Sequence, residues 1–189
     1  MLTYTHVFYF FIFSLDVVTR LSKNSCLRLV EHNVINIIFE LIKSCNRSQP
    51  HMEVLKHGLN IIENLSRDPD TNAAVFYAPG GMEILVECSQ AYRENEMVFE
   101  SVVTILLLHL EIDPARGRVV RGMTTEIKKL KGVLTVMERK VERETRSVGG
   151  SRFGGTAMAS GPAAVAKANS VKMLLSSVTK LRKIVDLVK

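Results

Sequence analysis

Tryptophan is absent, aromatic residues make up 6% of the 189-residue chain, and the only aromatic residue after Phe99 is Phe153. The second half therefore has no row of rings on which bases could stack, which argues against nucleic acid as a partner. Cysteine is scarce: Cys26, Cys45 and Cys88 cannot build a disulfide framework. Each sits in an apolar stretch that reads as helical, and a reducing cytoplasmic setting fits best. Long hydrophobic runs are missing too, since Val7–Leu15 is nine residues against the roughly 20 of a membrane span. No Lys or Arg precedes that run and no small-residue cleavage site follows it, so neither a leader nor a membrane role is expected. Phe, Tyr, Ile, Leu and Ser are what a pyrimidine-rich splice junction encodes when translated, so residues 1–14 stand as an uncertain apolar N-terminus for which a gene-model artefact is a competing reading.

Catalytic signatures are absent as well. The chain holds no P-loop, GxSxG, HExxH or GxGxxG, and the glycines of 149–161 do not lie between a strand and a helix. The five histidines show neither i,i+4 spacing nor a cysteine paired with them at metal-ligand spacing. Glu83 and Glu87 read as a solvated helix face. No catalytic residue, cofactor or metal is expected, and the chain reads as a non-enzymatic protein.

What is present is helical periodicity. Five prolines, at 50, 69, 79, 114 and 162, cut the chain into helix-length pieces. Between them Met52, Leu55, Leu59, Ile62 and Leu65 recur at steps of three and four, and no comparable alternating run suggests a strand. The fold class is all-α. Two stretches, Val34–Ile42 and Val98–Leu110, are apolar nearly all round and should be covered on several sides. Aligned, they expose a recurrence. Short, medium and long helices are expected at Ser25–His32, Val34–Cys45 and Met52–Ser66, then again at Asn72–Tyr77, Met82–Tyr92 and Glu96–Leu110. A period of about 40–47 residues is the armadillo/HEAT signature, and such units need about three copies to be stable. Residues 15–113 are therefore read as armadillo-like repeats, part of a longer solenoid, with Ile38, Leu41, Leu59, Ile62, Leu85, Val102 and Leu106 in a continuous core.

The net charge of +6 conceals an asymmetry: residues 1–113 sum to −6 and residues 114–189 to +12. Three pieces make up the basic half: a helical segment at 114–146, a Gly/Ser-rich linker at 147–162 and an amphipathic helix at 163–189. In the first, Ile127, Leu130, Val133, Leu134 and Met137 line one side of a helix expected over Val119–Arg146. In the last, Val171, Leu174, Leu175, Val178, Leu181, Val185 and Val188 keep helical spacing. Lys128, Lys129, Lys131, Lys172, Lys180, Arg182 and Lys183 are the candidate contacts to an acidic partner such as the tubulin surface. An alternative use of the last helix is calmodulin or membrane-surface binding, with Val171, Val178 and Ile184 as anchors. Arg116-Gly117-Arg118 begins like the second half of an IQ motif, but Glu111-Ile112 replaces its Ile-Gln and Pro114 interrupts it.

The block Leu41-Ile-Lys-Ser-Cys-Asn-Arg-Ser-Gln-Pro-His-Met-Glu-Val54 resembles a segment in the C-terminal armadillo-like region of the abnormal spindle, microcephaly-associated protein family. The similarity starts near Leu15-Asp16-Val17-Val18, includes Ser25-Cys26-Leu27-Arg28 and fades after Asp113, about half the chain. The resemblance implies a cytoplasmic scaffold at microtubules and spindle poles that acts in spindle organisation. It also implies calmodulin binding through IQ motifs, which does not transfer to a chain without an intact one. Asn46, Arg47 and Ser48 are candidate interaction residues in the loop between the second and third helices, where capping the following helix is the expected job.

Overall fold

The computed structural model describes residues 4–149 and 162–188, and all ten regular elements among them are helices. In chain order they are α1 (Tyr4–Leu21), α2 (Lys23–Glu31), α3 (Val34–Ser44), α4 (Gln49–Arg67), α5 (Pro69–Phe76), α6 (Gly81–Ala91), α7 (Glu96–Ile112), α8 (Arg116–Gly122), α9 (Thr124–Gly149) and α10 (Pro162–Leu187). Local chemistry sets most boundaries. Ser22 caps α2 by accepting from the Ser25 N–H at 3.2 Å, and Asn95 caps α7 by accepting from Val98 at 3.2 Å. Asp68 caps α5 through the Asp70 N–H, with Pro69 supplying the first helical residue. Gly80 has φ of 70°, a left-handed conformation that costs glycine little, and it turns the chain into α6.

The long helices form a row in which α1 packs on α4, α4 on α7 and α7 on α10. Bonded pairs advance together along neighbours: Asp16 meets His57 while Thr19 meets Asn64, and Ser170 meets Glu96 while Lys183 meets Glu111. Helices α1 and α4 are therefore parallel, as are α7 and α10. Behind the row α3 packs on α6 and α6 on the 26-residue α9, and beside them α2 packs on α5. One apolar core runs through all the layers. Close approach is required where α6 meets α3: a Cβ at Gly81 would stand 2.8 Å from the ring of buried Phe39.

Ile38, Leu59, Ile62, Leu85, Val102 and Leu106 are buried as expected, whereas Leu41 is only partly so. The inward stripe of α3 is Ile35, Ile38, Phe39 and Ile42, which leaves Leu41 on its flank. Nor is α3 covered all round, because Ile37 is 63% exposed; α7, with α4, α5, α6, α8 and α10 against it, is. The helix expected over 119–146 is two helices, broken at Met123 (φ −85°, ψ 65°) just after Gly122. Helix α9 continues to Gly149, past the expected start of the linker, whose residues 150–161 lie outside the described ones. Helix α1 crosses the boundary expected at residue 14, with Ile12 fully buried. In α10, Leu175 faces outward, while Leu174, Val178, Leu181, Ile184 and Val185 are buried, as is Val188 just past its end. No helix among the described residues is long and apolar enough to cross a membrane.

Candidate interaction surface

In the loop between α3 and α4, Asn46, Arg47 and Ser48 stand together but do not cap α4 with their side chains. Ser48 holds the N-cap position with no side-chain bond into the helix, and its carbonyl accepts from Met52 at 2.9 Å. The Asn46 carboxamide oxygen instead accepts the Ser48 N–H at 2.8 Å, closing the turn on itself, while the Asn46 N–H donates to His51 Nδ1 at 3.1 Å. Arg47 reaches across to the next unit, donating from Nη2 to the Ala91 carbonyl at 2.7 Å. A cation there meets one of the orphan carbonyls at the end of α6 and the negative end of its dipole. The Tyr92 hydroxyl answers in the other direction, donating to the Cys45 carbonyl at 3.0 Å. The loop is thus a strap between two successive helix ends beside an open groove lined by Arg47, Met52, Tyr92 and Glu94.

The cations of the second half divide into two groups. Lys180, Arg182 and Lys183 of α10 are paired with carboxylates of α7 and α9, Arg182 and Lys183 while still exposed. Lys180 pairs with Glu100 and donates to Thr104 Oγ1 at 2.9 Å; Lys183 pairs with Glu111 at 2.5 Å; Arg182 holds Glu138 through two nitrogens at 2.6 and 3.2 Å. Ser170 and Ser177 donate to Glu96 and Glu100 along the same row. Lys129 similarly lies 3.6 Å from Glu87 on α6, and Lys140 3.1 Å from Glu94. Lys128 and Lys131 instead stand exposed beside an open hollow at the start of α9, with Thr124 and Thr125. Arg118 and Arg121 on α8, Arg139, Arg143 and Arg146 on α9, and Lys172 on α10 are exposed as well.

Two buried polar clusters escape a reading of the sequence. At the α1–α4 contact the fully buried Asp16 carboxylate meets His57 Nδ1 at 2.7 Å, Asn60 Nδ2 at 3.1 Å and Arg20 at 3.1 Å. Deeper, the fully buried Asn72 accepts at Oδ1 from Arg116 and from His109 Nδ1, 3.3 Å away, and donates to the Ser66 carbonyl. Because Asn72 Oδ1 only accepts, His109 carries its proton on Nδ1. Burial, reinforced by the Arg116 charge, lowers its pKa to about 3 and keeps the ring neutral. Burial also pushes the Cys45 thiol up to about 11 and the Cys88 thiol up to about 12, which makes both poor nucleophiles. A histidine set inside the apolar run Ile105–Leu110 of α7 is the one sequence signal for the second cluster.

Over an 81-residue stretch, 43% of the chain, it is similar to the abnormal spindle-like microcephaly-associated protein of Homo sapiens at 42% identity. The homologues from Mus musculus and Felis catus match over the same length at 41 and 38%. The chain spans only 2–3% of the length of these curated relatives. No family model matches it, and no solved structure does. The 81-residue stretch is therefore a segment of the kind found in the abnormal spindle-like microcephaly-associated protein family.

Proposed function

We propose that this chain is a non-enzymatic interaction module built of armadillo-like repeats, a piece of a spindle-pole and microtubule-associated scaffold acting in mitotic spindle organisation in the cytoplasm. The repeat reading rests on the recurrence of short, medium and long helices and on the row from α1 to α10. The spindle reading rests on what the relatives are named. One observation carries the choice of surface: Lys180, Arg182 and Lys183 of α10 are each paired with a carboxylate of α7 or α9, whereas Lys128 and Lys131 of α9 are exposed and, among the described residues, in no ion pair. An acidic partner such as tubulin meets α8 and α9, with Lys172 at the margin.

Co-sedimentation of the full chain with microtubules tests this. Binding at low salt should fall as salt is raised, because the attraction is screened, and should be lost in Lys128→Glu/Lys131→Glu. Equal binding by wild type and double variant overturns the choice of surface. Truncation at residue 113 is a poor test, since it strips α7 of α10. The calmodulin reading is less well supported: its anchors Val178 and Ile184 are buried between neighbouring helices, so the intact chain should not bind calmodulin in calcium.

A further inference from the structure

Together the units α2–α4 and α5–α7 are flanked in the row by α1 on one side and by α8–α10 on the other. The groove between their two loops is therefore an interior feature of the stack, and helices that extend the row at either end pack elsewhere. One wall is the α3–α4 loop with the first turn of α4, contributing Arg47 and Met52; the other is the end of α6 with the loop to α7, contributing Ala91, Tyr92, Glu94 and Asn95. Two cross-links tie the walls together: Arg47 Nη2 donates to the Ala91 carbonyl at 2.7 Å, and the Tyr92 hydroxyl to the Cys45 carbonyl at 3.0 Å. The hollow between them is about 310 Å³, at the small end for a ligand pocket, and suits one or two side chains of a peptide.

The floor is apolar, made by Met52 and Tyr92, each 8% exposed. Beside it stand donors left over from the fold. Arg47 is exposed and spends one nitrogen on Ala91; among the described residues its other nitrogens meet no acceptor. Asn95 spends its carboxamide oxygen on the Val98 N–H at 3.2 Å, and its Nδ2 donates to nothing among the described residues. The carboxylate in the lining, Glu94, is met by Lys140 at 3.1 Å and by Arg93 at 3.7 Å, so three cations stand around one anion. From this arrangement we infer a second binding site, for an extended segment of a partner protein that sets an acidic residue beside a large apolar one. The carboxylate takes the remaining donors of Arg47, whose planar fork matches it, and of Asn95. The apolar neighbour covers Met52 and the Tyr92 ring, where area removed from water adds to the charge-assisted bonds. Both halves select the occupant: free donors beside a carboxylate that is already paired reject a basic segment, and a purely anionic chain leaves the apolar floor uncovered. Because the walls are already tied, binding costs little ordering of the site. This role for the Asn46–Ser48 loop goes beyond the microtubule reading and does not rest on it.

Backbone amide NMR spectra of the full chain, titrated at low salt with three short peptides, test this: acetyl-Glu-Leu-Glu-amide, acetyl-Glu-Ser-Glu-amide and acetyl-Lys-Leu-Lys-amide. The first should shift the signals of Arg47, Met52, Tyr92 and Asn95 to saturation, and the other two should bind there at least about tenfold more weakly. Asn95→Asp keeps the oxygen that caps α7 and replaces the free donor by a second carboxylate oxygen. It should weaken binding of the first peptide by about tenfold while its own spectrum otherwise overlays that of the wild type. No shift at these four residues, equal binding there by either of the other two peptides, undiminished binding by Asn95→Asp, or shifts centred instead on Lys128 and Lys131 would each overturn the inference. The readout does not pass through microtubules, so this site and the α9 surface stand or fall separately.

Discussion

Arg116 lies over the ring of Phe76, its guanidinium carbon 4.8 Å from the centroid, while its Nη1 donates to Asn72 forty-four positions earlier in the chain. One buried side chain thereby joins α8 to α5 and, through the Asn72–His109 contact, to α7. A lysine cannot supply both the planar stack and the fixed fork of donors. Arg116→Lys should therefore cost about 1–3 kcal/mol, the range for a buried acceptor left short of its donor, read as a lowered midpoint in urea unfolding. An unchanged midpoint would mean that the stack and hydrogen bond contribute nothing.

His109 makes stability depend on pH in a particular direction. Its pKa is about 3 in the folded chain and returns to the ordinary 6.5 on unfolding. Above pH 6.5 neither state holds the extra proton; between 6.5 and 3 only the unfolded state does, so stability falls as pH falls. The slope is about 1.4 kcal/mol per pH unit once the unfolded imidazole is charged. Urea unfolding between pH 6.5 and 5 should show this loss in the wild type and a shallower one in His109→Gln. Equal slopes would mean that His109 is protonated in place.

Two glycine-to-alanine changes should move stability in opposite directions. At Gly81 the new methyl group meets the ring of Phe39 at 2.8 Å and 3.0 Å, in a packed core where overfilling costs about 1–3 kcal/mol. At Gly132, inside α9, it meets no atom within 4 Å, and replacing a helical glycine there should gain about 0.5–1 kcal/mol. Thermal melts of the two variants beside the wild type check the pair, and a stabilised Gly81→Ala would contradict the α3–α6 packing.

Helix positions were legible where local chemistry marks them. Val34–Ser44 and Glu96–Ile112 differ by one or two residues at one end from the spans that apolar spacing suggests, and their starts are shared because Asn33 and Asn95 stand at the N-cap positions. The break at Met123 was not legible, since apolar spacing continues straight across it. The candidate surface was legible only in part. Net charge shows that residues 114–189 are basic, but which cations remain outward depends on pairs such as Lys180–Glu100 and Lys183–Glu111, more than seventy positions apart. Such pairs exist only once the row of helices has assembled. The Asn72–His109–Arg116 cluster was hidden for the same reason, each member being ordinary in its own segment.

The division of the basic half into paired and unpaired cations is tested most directly by lysine acylation of the native chain, read residue by residue by mass spectrometry. Lys180, half-buried and held by Glu100 and Thr104, should react several-fold more slowly than the exposed Lys128, Lys131 and Lys172, and Glu100→Gln should release much of that protection. Lys180 labelling as fast as Lys172 in the wild type would contradict the placement of α10 on α7, and with it the assignment of the interaction surface to α9.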